Sequence, residues 1–431
     1  MILFENHEKK LHNVAPSYFA TNHVSSEVFG SAKWNALQHK TNGVDESVCK
    51  ERLQDALEQS MSSLLCPNSA MLLSGGLDSS ILLAMAKKLG HTFSTYSLRY
   101  ECQCAGAEMK NEDSMIAKRF ADELGCFHEV ISISGEQALE SMADIVKCFN
   151  EPFAGGVSLY WMLKHIPEQV VFTGDGADEL FMGYPLHQMA YYVEQGVRLL
   201  KEQGVVSEDF LQNAPFEPQH LHAMIIDAKD NPYTVLVKHL NLDDGLLKML
   251  VNEEYLDGKM SIAEYTKMLW TQDVGRLTGA SLQYYLSDPL PNQIQKYISA
   301  FSNRWNKEIR TPFLTESLMT CAMSIPTKLK IKDGIPKYIL REVAKEWLPA
   351  YVWNRKKETF VPPVLTWMQA EWKEFLLDTF SMDKLMSDSV LNPAGVYYLL
   401  KRFYENPEKE FQAGQILYNL LMFQLWWQEQ K

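Results

Sequence analysis

The feature of this sequence that most constrains its fold is a short apolar run that leads directly into a glycine pair. Residues 70–73 are Ala-Met-Leu-Leu, and Ser74-Gly75-Gly76 follow at once. An apolar run of this length between turn-forming residues is typical of a buried strand. Residues 79–89 then have the apolar spacing of a helix, which Gly90 ends. A strand, a tight loop and a helix in this order predict the start of a parallel α/β fold.

The alternation of strand and helix continues to about residue 172. Further strands are predicted at 92–98, 128–133 and 169–172, and further helices at 47–64, 112–124 and 137–149. This alternation predicts a doubly wound parallel sheet with helices on both faces. After Tyr184 the pattern is largely helical, so we expect a helical C-terminal half. We assign 1–45 to a short N-terminal segment and 46–431 to one α/β domain.

Composition bounds the class of protein and its partners. The formal net charge over 431 residues is −13, which argues against nucleic acid as the main partner. The seven cysteines form no Cys-x-x-Cys pair, which favours free thiols over a zinc site. The N-terminus does not resemble a signal peptide, and no apolar stretch approaches the ~18 residues of a membrane span. We therefore expect a cytoplasmic protein without a membrane partner, and the sequence leaves its oligomeric state open.

The loop between the first strand and its helix has the composition of an anion site. It contains Ser74, Gly75, Gly76, Leu77, Asp78, Ser79 and Ser80. Paired glycines let the backbone approach a ligand, and the helix N-terminus directs N–H groups at an anion. The Asp78 carboxylate would repel phosphate unless Mg²⁺ lay between them, because hard cations bridge carboxylate and phosphate oxygens. The alternative is a glycine turn in which Asp78 or Ser79 caps the helix.

A second acidic loop follows the fourth predicted strand. It reads Thr173-Gly174-Asp175-Gly176-Ala177-Asp178-Glu179-Leu180-Phe181-Met182-Gly183-Tyr184. Loops at the carboxyl ends of parallel strands face a common crevice, so we expect Asp78 and Asp178 to bind one Mg²⁺ ion. The alternative is a solvated acidic turn.

Both loops resemble those of known enzymes. The first is similar to the pyrophosphate loop of the ATP pyrophosphatase families, which include asparagine, GMP and argininosuccinate synthetases and tRNA-thiolating enzymes. The second resembles a segment of the synthetase domain of class B asparagine synthetase and its relatives, among them β-lactam synthetase, carbapenam synthetase and lasso-peptide cyclases. Further segments agree in the same order, namely residues 112–114, 150–153, 308–314, 337–341 and 355–367.

The resemblance implies an activity and a set of site residues. ATP would be cleaved between its α- and β-phosphates, AMP would pass to a carboxylate, and an amine would attack to give an amide. The backbone at Leu73, Leu98 and Gly174 would hold adenine and ribose, residues 74–80 would hold the pyrophosphate, and Asp175 would be the catalytic acid–base group. That position is glutamate in asparagine synthetase and tyrosine in β-lactam synthetase. The implied cofactors are ATP and Mg²⁺.

Three basic residues join the expected site. Lys337 and Arg341 are four residues apart, so we expect both on one helix face beside the nucleotide, although a solvated basic stripe would have the same spacing. By resemblance, Lys357 is the catalytic lysine that stabilises the negative charge formed during amide synthesis. It stands in the run Arg355-Lys356-Lys357, and such runs are also typical of a surface.

The sequence departs from the family in three places. Class B asparagine synthetase carries a cysteine after its initiator Met and a glutaminase domain, whereas residue 2 here is Ile2 and the phosphate loop begins at Ser74. We therefore expect no glutaminase domain, and a nitrogen source other than glutamine on this chain. Residues 299–303 replace the family's Asp-Arg-x-Ser-Met, and Thr315 replaces an aspartate. Both changes favour a carboxylate other than aspartate.

Several interpretations remain open from the sequence. We expect the substrate to be a small-molecule or peptide carboxylate of specialised metabolism, such as antibiotic biosynthesis. The amine belongs either to the same substrate, so that a lactam closes, or to ammonia or a second molecule, with a separate ammonia source as a possible partner. A non-catalytic ATP-binding subunit is a further alternative. The absence of a basic face and of a Cys-x-x-Cys pair argues against a tRNA-thiolating enzyme.

Overall fold

The structure is a computed structural model of the chain. It describes residues 45–101, 107–232, 235, 244–256, 277–355, 362–406 and 410–431. The expected N-terminal segment 1–45 lies outside the described residues except for its last residue, and so does Lys357.

A parallel sheet of five strands forms the centre of the molecule. The strands are β1 (Ser69–Leu72), β2 (Ser94–Glu101), β3 (Phe127–Ser134), β4 (Val170–Phe172) and β5 (Glu308–Arg310). Their order is β3-β2-β1-β4-β5, and every neighbouring pair is parallel. The chain thus adds strands on one side of β1 and then returns to add β4 and β5 on the other side. A short antiparallel pair, β6 (Ile331–Lys332) and β7 (Ile335–Pro336), lies outside this sheet.

Helices supply most of the remaining structure. They span Glu46–Leu64, Leu77–Lys88, Ala107–Glu123, Gly135–Glu140, Met142–Lys147, Val157–His165, Ala177–Phe181, Pro185–Gln203, Glu208–Gln212, Pro218–Asp230, Asp244–Leu250, Leu277–Ser287, Gln295–Trp305, Glu316–Ser324, Thr327–Lys330, Tyr338–Ala344, Ala350–Trp353, Val364–Gln369, Lys373–Thr379, Met382–Asp388, Pro393–Glu405 and Phe411–Glu429. Single turns of 3₁₀-helix lie at Glu253–Tyr255 and Pro312–Leu314, and a π-helical turn lies at Leu290–Ile294. In the described part of the chain, no helix combines the length and the apolar character that crossing a membrane requires.

The sheet is buried on both faces. Ala70 of β1 belongs to a core that includes the C-terminal helix Phe411–Glu429, whereas its neighbour Met71 belongs to a core with helix Leu77–Lys88. Successive strand residues point to opposite faces, so both faces must be apolar, and the continuous apolar run of β1 satisfies both. A smaller third cluster joins helices Pro185–Gln203, Pro218–Asp230 and Leu277–Ser287.

The expected doubly wound α/β fold with a helical C-terminal half is confirmed, with local differences. The predicted helix 137–149 is two helices separated at Ser141, whose hydroxyl donates to the Ala138 carbonyl at 2.7 Å and accepts the Trp161 indole N–H at 2.7 Å. Strand β5 was not expected because its three residues, Glu-Ile-Arg, contain no apolar run.

Candidate functional site

The candidate site lies where the strand order reverses. β1 is flanked by β2 and β4, so the loops that follow β1 and β4 leave the sheet side by side. A Cβ at Gly174 would lie 3.2 Å from the Asp78 Cβ and 3.2 Å from the Ser79 nitrogen. The two acidic loops therefore touch, as expected. This reversal point is where open α/β sheets bind their ligands.

The phosphate loop is held by its own serines and by a neighbouring helix. The Ser74 hydroxyl accepts a bond from the Gly76 N–H at 3.3 Å and lies 3.2 Å from the Ser79 hydroxyl. Gly75 has a φ of +72°, and a Cβ there would lie 2.5 Å from the Asp113 carbonyl oxygen, so only glycine fits. The loop ends at the N-terminus of helix Leu77–Lys88, where backbone N–H groups favour an anion.

A buried lysine joins the two acidic loops. The Lys337 Nζ lies 2.6 Å from Asp78 Oδ2 and 2.7 Å from Asp178 Oδ1, and the residue is only 4% exposed. Burial alone would lower the pKa of Lys337, but the carboxylates of Asp178 and Asp78 outweigh it, so this pKa is raised and the ammonium is charged. The sequence-predicted residues Asp78, Asp178 and Lys337 thus form one cluster, which we call the acidic-loop cluster.

The two carboxylates of this cluster are suitable ligands for a Mg²⁺ ion that is also coordinated by phosphate oxygens. Among the described residues, no group of three or more His, Cys, Asp or Glu side chains could hold a metal ion by itself. Mg²⁺ usually takes one or two carboxylates and completes its shell with phosphate oxygens and water. Asp78 and Asp178, side by side next to the phosphate loop, fit this donor set.

Lys337 and Arg341 do not share a helix face as the sequence predicted. Lys337 precedes helix Tyr338–Ala344 with a left-handed φ of 55°, directly after strand β7, so it lies outside the helix that carries Arg341. The Arg341 guanidinium donates instead to backbone carbonyls, at 2.6 Å to Trp353 and 3.1 Å to Pro336. Both residues line the cavity. Lys337 contacts the expected carboxylates, whereas Arg341 fixes the backbone around the cavity.

Asp175 has a partner that the sequence analysis missed. The Thr173 hydroxyl donates to its Oδ2 at 2.7 Å, and the Tyr297 hydroxyl donates to its Oδ1 at 3.1 Å. Burial raises the pKa of Asp175, with help from Asp178 and Asp78, although both hydrogen bonds lower it. Tyr297 lines the cavity, whereas residues 299–303 and Thr315 do not. The sequence did point to this region, because Tyr297 lies just before residues 299–303, where the family motif is replaced.

Two further charged residues of the site lie in segments that carry the family resemblance. Arg355 forms an ion pair with Asp113, so the helix around residues 112–114 and Arg355 are neighbours. Glu179, next to Asp178, is 1% exposed and accepts a hydrogen bond from the Tyr184 hydroxyl. Burial raises the pKa of Glu179 to about 7, and the neighbouring Asp178 adds to this effect. The acidic loop therefore contains a carboxyl group that titrates near neutral pH.

These groups open into one large cavity of about 1360 Å³. The sequence-predicted residues that line it are Leu73, Ser74, Gly76, Leu77, Asp78, Ser79, Leu98, Gly174, Asp175, Asp178, Lys337 and Arg341. Gly75 and Ser80 are not among the lining residues, because Gly75 packs against Asp113 and Ser80 is fully buried. Lys357 lies outside the described residues, and its neighbour Arg355 lines the cavity.

A parallel α/β sheet with a glycine–serine phosphate loop, a second acidic loop and a buried lysine between them defines the class of α/β proteins that bind a phosphate-bearing ligand at the reversal of the strand order. The asparagine synthase family model matches residues 49–428, and the chain belongs to this family.

Curated relatives agree with this assignment. An asparagine synthetase [glutamine-hydrolyzing] of Bacillus subtilis is 25% identical over 82% of this chain and 55% of its own length. A putative asparagine synthetase of Mycobacterium tuberculosis is 24% identical over 82% of this chain and 53% of its own length. The amidase chyE of Penicillium rubens is 24% identical over 83% of this chain and 59% of its own length. The chain therefore spans about half the length of the curated relatives it matches.

Proposed function

We propose that this chain activates a carboxylate with ATP and joins it to an amine nitrogen, giving an amide, AMP and pyrophosphate. The acidic-loop cluster is the observation that carries this proposal. Its buried lysine and two partly buried carboxylates lie beside the phosphate loop at the point where the sheet order reverses. Membership of the asparagine synthase family supports an amide-forming ligase that uses ATP.

In the first step, a carboxylate oxygen of the substrate attacks the α-phosphorus of ATP. The bond from that phosphorus to the bridging oxygen of pyrophosphate breaks, and its electron pair leaves with pyrophosphate. The phosphate loop and the N-terminus of helix Leu77–Lys88 hold the leaving group, and the Lys337 ammonium offsets its charge. Mg²⁺ held by Asp78 and Asp178 would supply further charge neutralisation.

In the second step, an amine attacks the acyl carbon and AMP leaves with the electron pair of the acyl–phosphate bond. The nitrogen must lose a proton, and we assign Asp175 as the group that takes it. Its raised pKa makes it a better base than an exposed aspartate, and Tyr297 and Thr173 fix its two oxygens. Lys357 is the proposed stabiliser of the negative oxygen formed at the acyl carbon.

The origin of the amine separates two versions of this function, and product mass distinguishes them. An amine on the same molecule closes a lactam, and the product is one water lighter than the substrate. A separate amine or ammonia gives a product equal to both reactants minus one water.

The proposed function is tested by replacing each carboxylate of the cluster. Asp78→Asn and Asp178→Asn each remove a proposed Mg²⁺ ligand without changing side-chain volume. We expect both variants to lose at least about 10²-fold in pyrophosphate release, the scale of losing one charge-stabilising group. The matched control is Asp122→Asn, since Asp122 forms an exposed ion pair with Lys118 away from the cavity. Near-normal activity in either cluster variant at saturating Mg²⁺ would rule out the shared metal site.

A further inference from the structure

The Lys337 ammonium lies where a shared Mg²⁺ ion would bind. Its Nζ is 2.6 Å from Asp78 Oδ2 and 2.7 Å from Asp178 Oδ1, so one cation already bridges the two acidic loops. A Mg²⁺ ion bound to either carboxylate would be close to this ammonium, and two cations that share two carboxylates repel each other. The ammonium and the metal ion therefore compete for the same two side chains.

The packing around Lys337 shows that its position is built into the acidic loop. A Cβ at Gly183 would collide with both Lys337 Cε and Asp178 Oδ1, so the lysine side chain packs directly against the backbone of that loop. The Lys337 side chain is buried, whereas each carboxylate is about one-fifth exposed. The lysine thus fills the space between the two loops and leaves the carboxylates facing the cavity in part.

The charges of the described site are balanced by Lys337. The other cationic side chains among the described lining residues are Arg341 and Arg355. Arg355 pairs with Asp113, and Arg341 donates to backbone carbonyls. The two carboxylates and the ammonium carry one net negative charge, so a Mg²⁺ ion added by itself would give the cluster a net positive charge. Phosphate groups that enter with the ion would supply the negative charge that both cations need.

The ammonium has a second set of partners within reach when phosphates are bound. Lys337, Ser74, Gly76 and Ser79 line the same cavity, and Asp78 lies in the first turn of the helix that follows the phosphate loop. A lysine ammonium is a point charge on a flexible four-carbon chain. It can therefore move from carboxylate to phosphate oxygens by rotation of its own side chain, without a change in the backbone.

We propose that Lys337 occupies the Mg²⁺ position of the acidic-loop cluster until nucleotide binds, so that Mg²⁺ enters this site together with the phosphates and not by itself. With phosphates present, the ammonium turns to their oxygens, and Asp78 and Asp178 take the metal ion. This inference rests on the proposed function and adds the order in which metal and nucleotide bind. It makes Lys337 an internal competitor of the metal.

The test measures metal binding by the full chain without nucleotide. The probe is Mn²⁺ alone, which prefers the same oxygen ligands as Mg²⁺, and the loss of its free-ion signal in electron paramagnetic resonance gives the affinity. One charge at this range changes the proton affinity of a neighbouring group by roughly 10- to 10³-fold. Lys337→Met should therefore bind Mn²⁺ at least about 10-fold more tightly than the unchanged protein. The double variant Lys337→Met/Asp178→Asn should lose that gain.

The matched control is Lys332→Met. Lys332 pairs with Glu46, is more than a third exposed and is not among the residues that line the cavity. Its replacement removes the same charge from the chain, so it should leave the Mn²⁺ affinity unchanged.

A second measurement follows the melting temperature in metal-free buffer and after addition of Mg²⁺. Mg²⁺ should raise the melting temperature of Lys337→Met, because the ion replaces the lost counter-charge and binds the folded protein only. The same addition should leave the unchanged protein and Lys332→Met unaffected. If Lys337→Met does not fold, the unchanged protein and Asp178→Asn still decide the question, because tight Mn²⁺ binding that Asp178→Asn removes would show that Lys337 does not exclude the metal.

The remaining outcomes separate this inference from the proposed function. An equal Mn²⁺ affinity of Lys337→Met and the unchanged protein, or a gain that persists in the double variant, overturns the competition. Neither result affects pyrophosphate release by the unchanged protein, so the proposed function would stand. Near-normal pyrophosphate release by Asp78→Asn or Asp178→Asn would remove the shared metal site, and this inference with it.

Discussion

Replacing Lys337 with Met should destabilise the protein strongly in the absence of nucleotide. Lys337 is 4% exposed and its ammonium lies within 2.7 Å of two carboxylates. Methionine keeps most of the side-chain volume and removes the charge. Removing one partner of a buried ion pair costs up to about 3–5 kcal/mol, and here the change leaves two partly buried carboxylates close together without their counter-charge. We expect a loss of this size in the free energy of unfolding, measured by urea denaturation followed by circular dichroism.

Lys332→Met is the matched control for this prediction. Lys332 also forms an ion pair, 2.8 Å from Glu46, but both side chains are more than a third exposed. Exposed pairs contribute about 0–1 kcal/mol, so this variant should be nearly as stable as the unchanged protein. In the double variant Lys337→Met/Asp178→Asn, one of the two carboxylates loses its charge, and part of the stability should return. If Lys337→Met costs no more than Lys332→Met, the acidic-loop cluster does not exist in solution.

Two other lysines give predictions of different kinds. Lys357→Ala should slow single-turnover amide formation by roughly 10²- to 10³-fold while changing ATP affinity, measured by calorimetry, much less; equal losses in both would place Lys357 in the nucleotide site. Lys330 is fully buried, and burial lowers its pKa from 10.5 to about 7. The unfolded chain therefore binds more protons than the folded one between pH 7 and 10.5, so stability should rise with pH across this range, by at most on the order of 5 kcal/mol. Lys330→Met should abolish that rise and its exposed neighbour control Lys328→Met should not; a rise that persists in Lys330→Met would assign it to other groups.

The parts of the fold that follow from local sequence were predictable. Strand β1, the phosphate loop and helix Leu77–Lys88 are consecutive in the chain, and their apolar runs and glycines determine them locally. The closeness of Asp78 and Asp178, which both lie within 2.7 Å of the Lys337 ammonium, also followed, because parallel strands place their loops at one edge of the sheet.

The parts that depend on distant contacts were not predictable. Lys337 has a left-handed φ directly after the β6–β7 hairpin and therefore lies outside the helix that follows. The turn of this hairpin, at Asp333 and Gly334, also has positive φ. A helical spacing of Lys337 and Arg341 gave no sign of this. Tyr297 and Asp175 are 122 residues apart in the sequence, and hydrophobic periodicity cannot predict such a contact.

For a related reason, the sequence did not show that the C-terminal helix would line the cavity. Helix Phe411–Glu429 is apolar on nearly all sides because it packs inside the core beside the sheet. Its few polar positions carry no motif. Only the folded arrangement places Gln415 and Tyr418 in the same cavity as the phosphate loop.

The identity of the products formed from ATP tests the central claim most directly. The full chain is incubated with Mg²⁺, ATP labelled at its α-phosphate, each of a panel of carboxylic acids, and hydroxylamine as the amine, and the nucleotides are separated by ion-exchange chromatography. Labelled AMP should accumulate in step with pyrophosphate and with the hydroxamate of the acid. Accumulation of labelled ADP together with inorganic phosphate would contradict the account, because it would show cleavage between the β- and γ-phosphates.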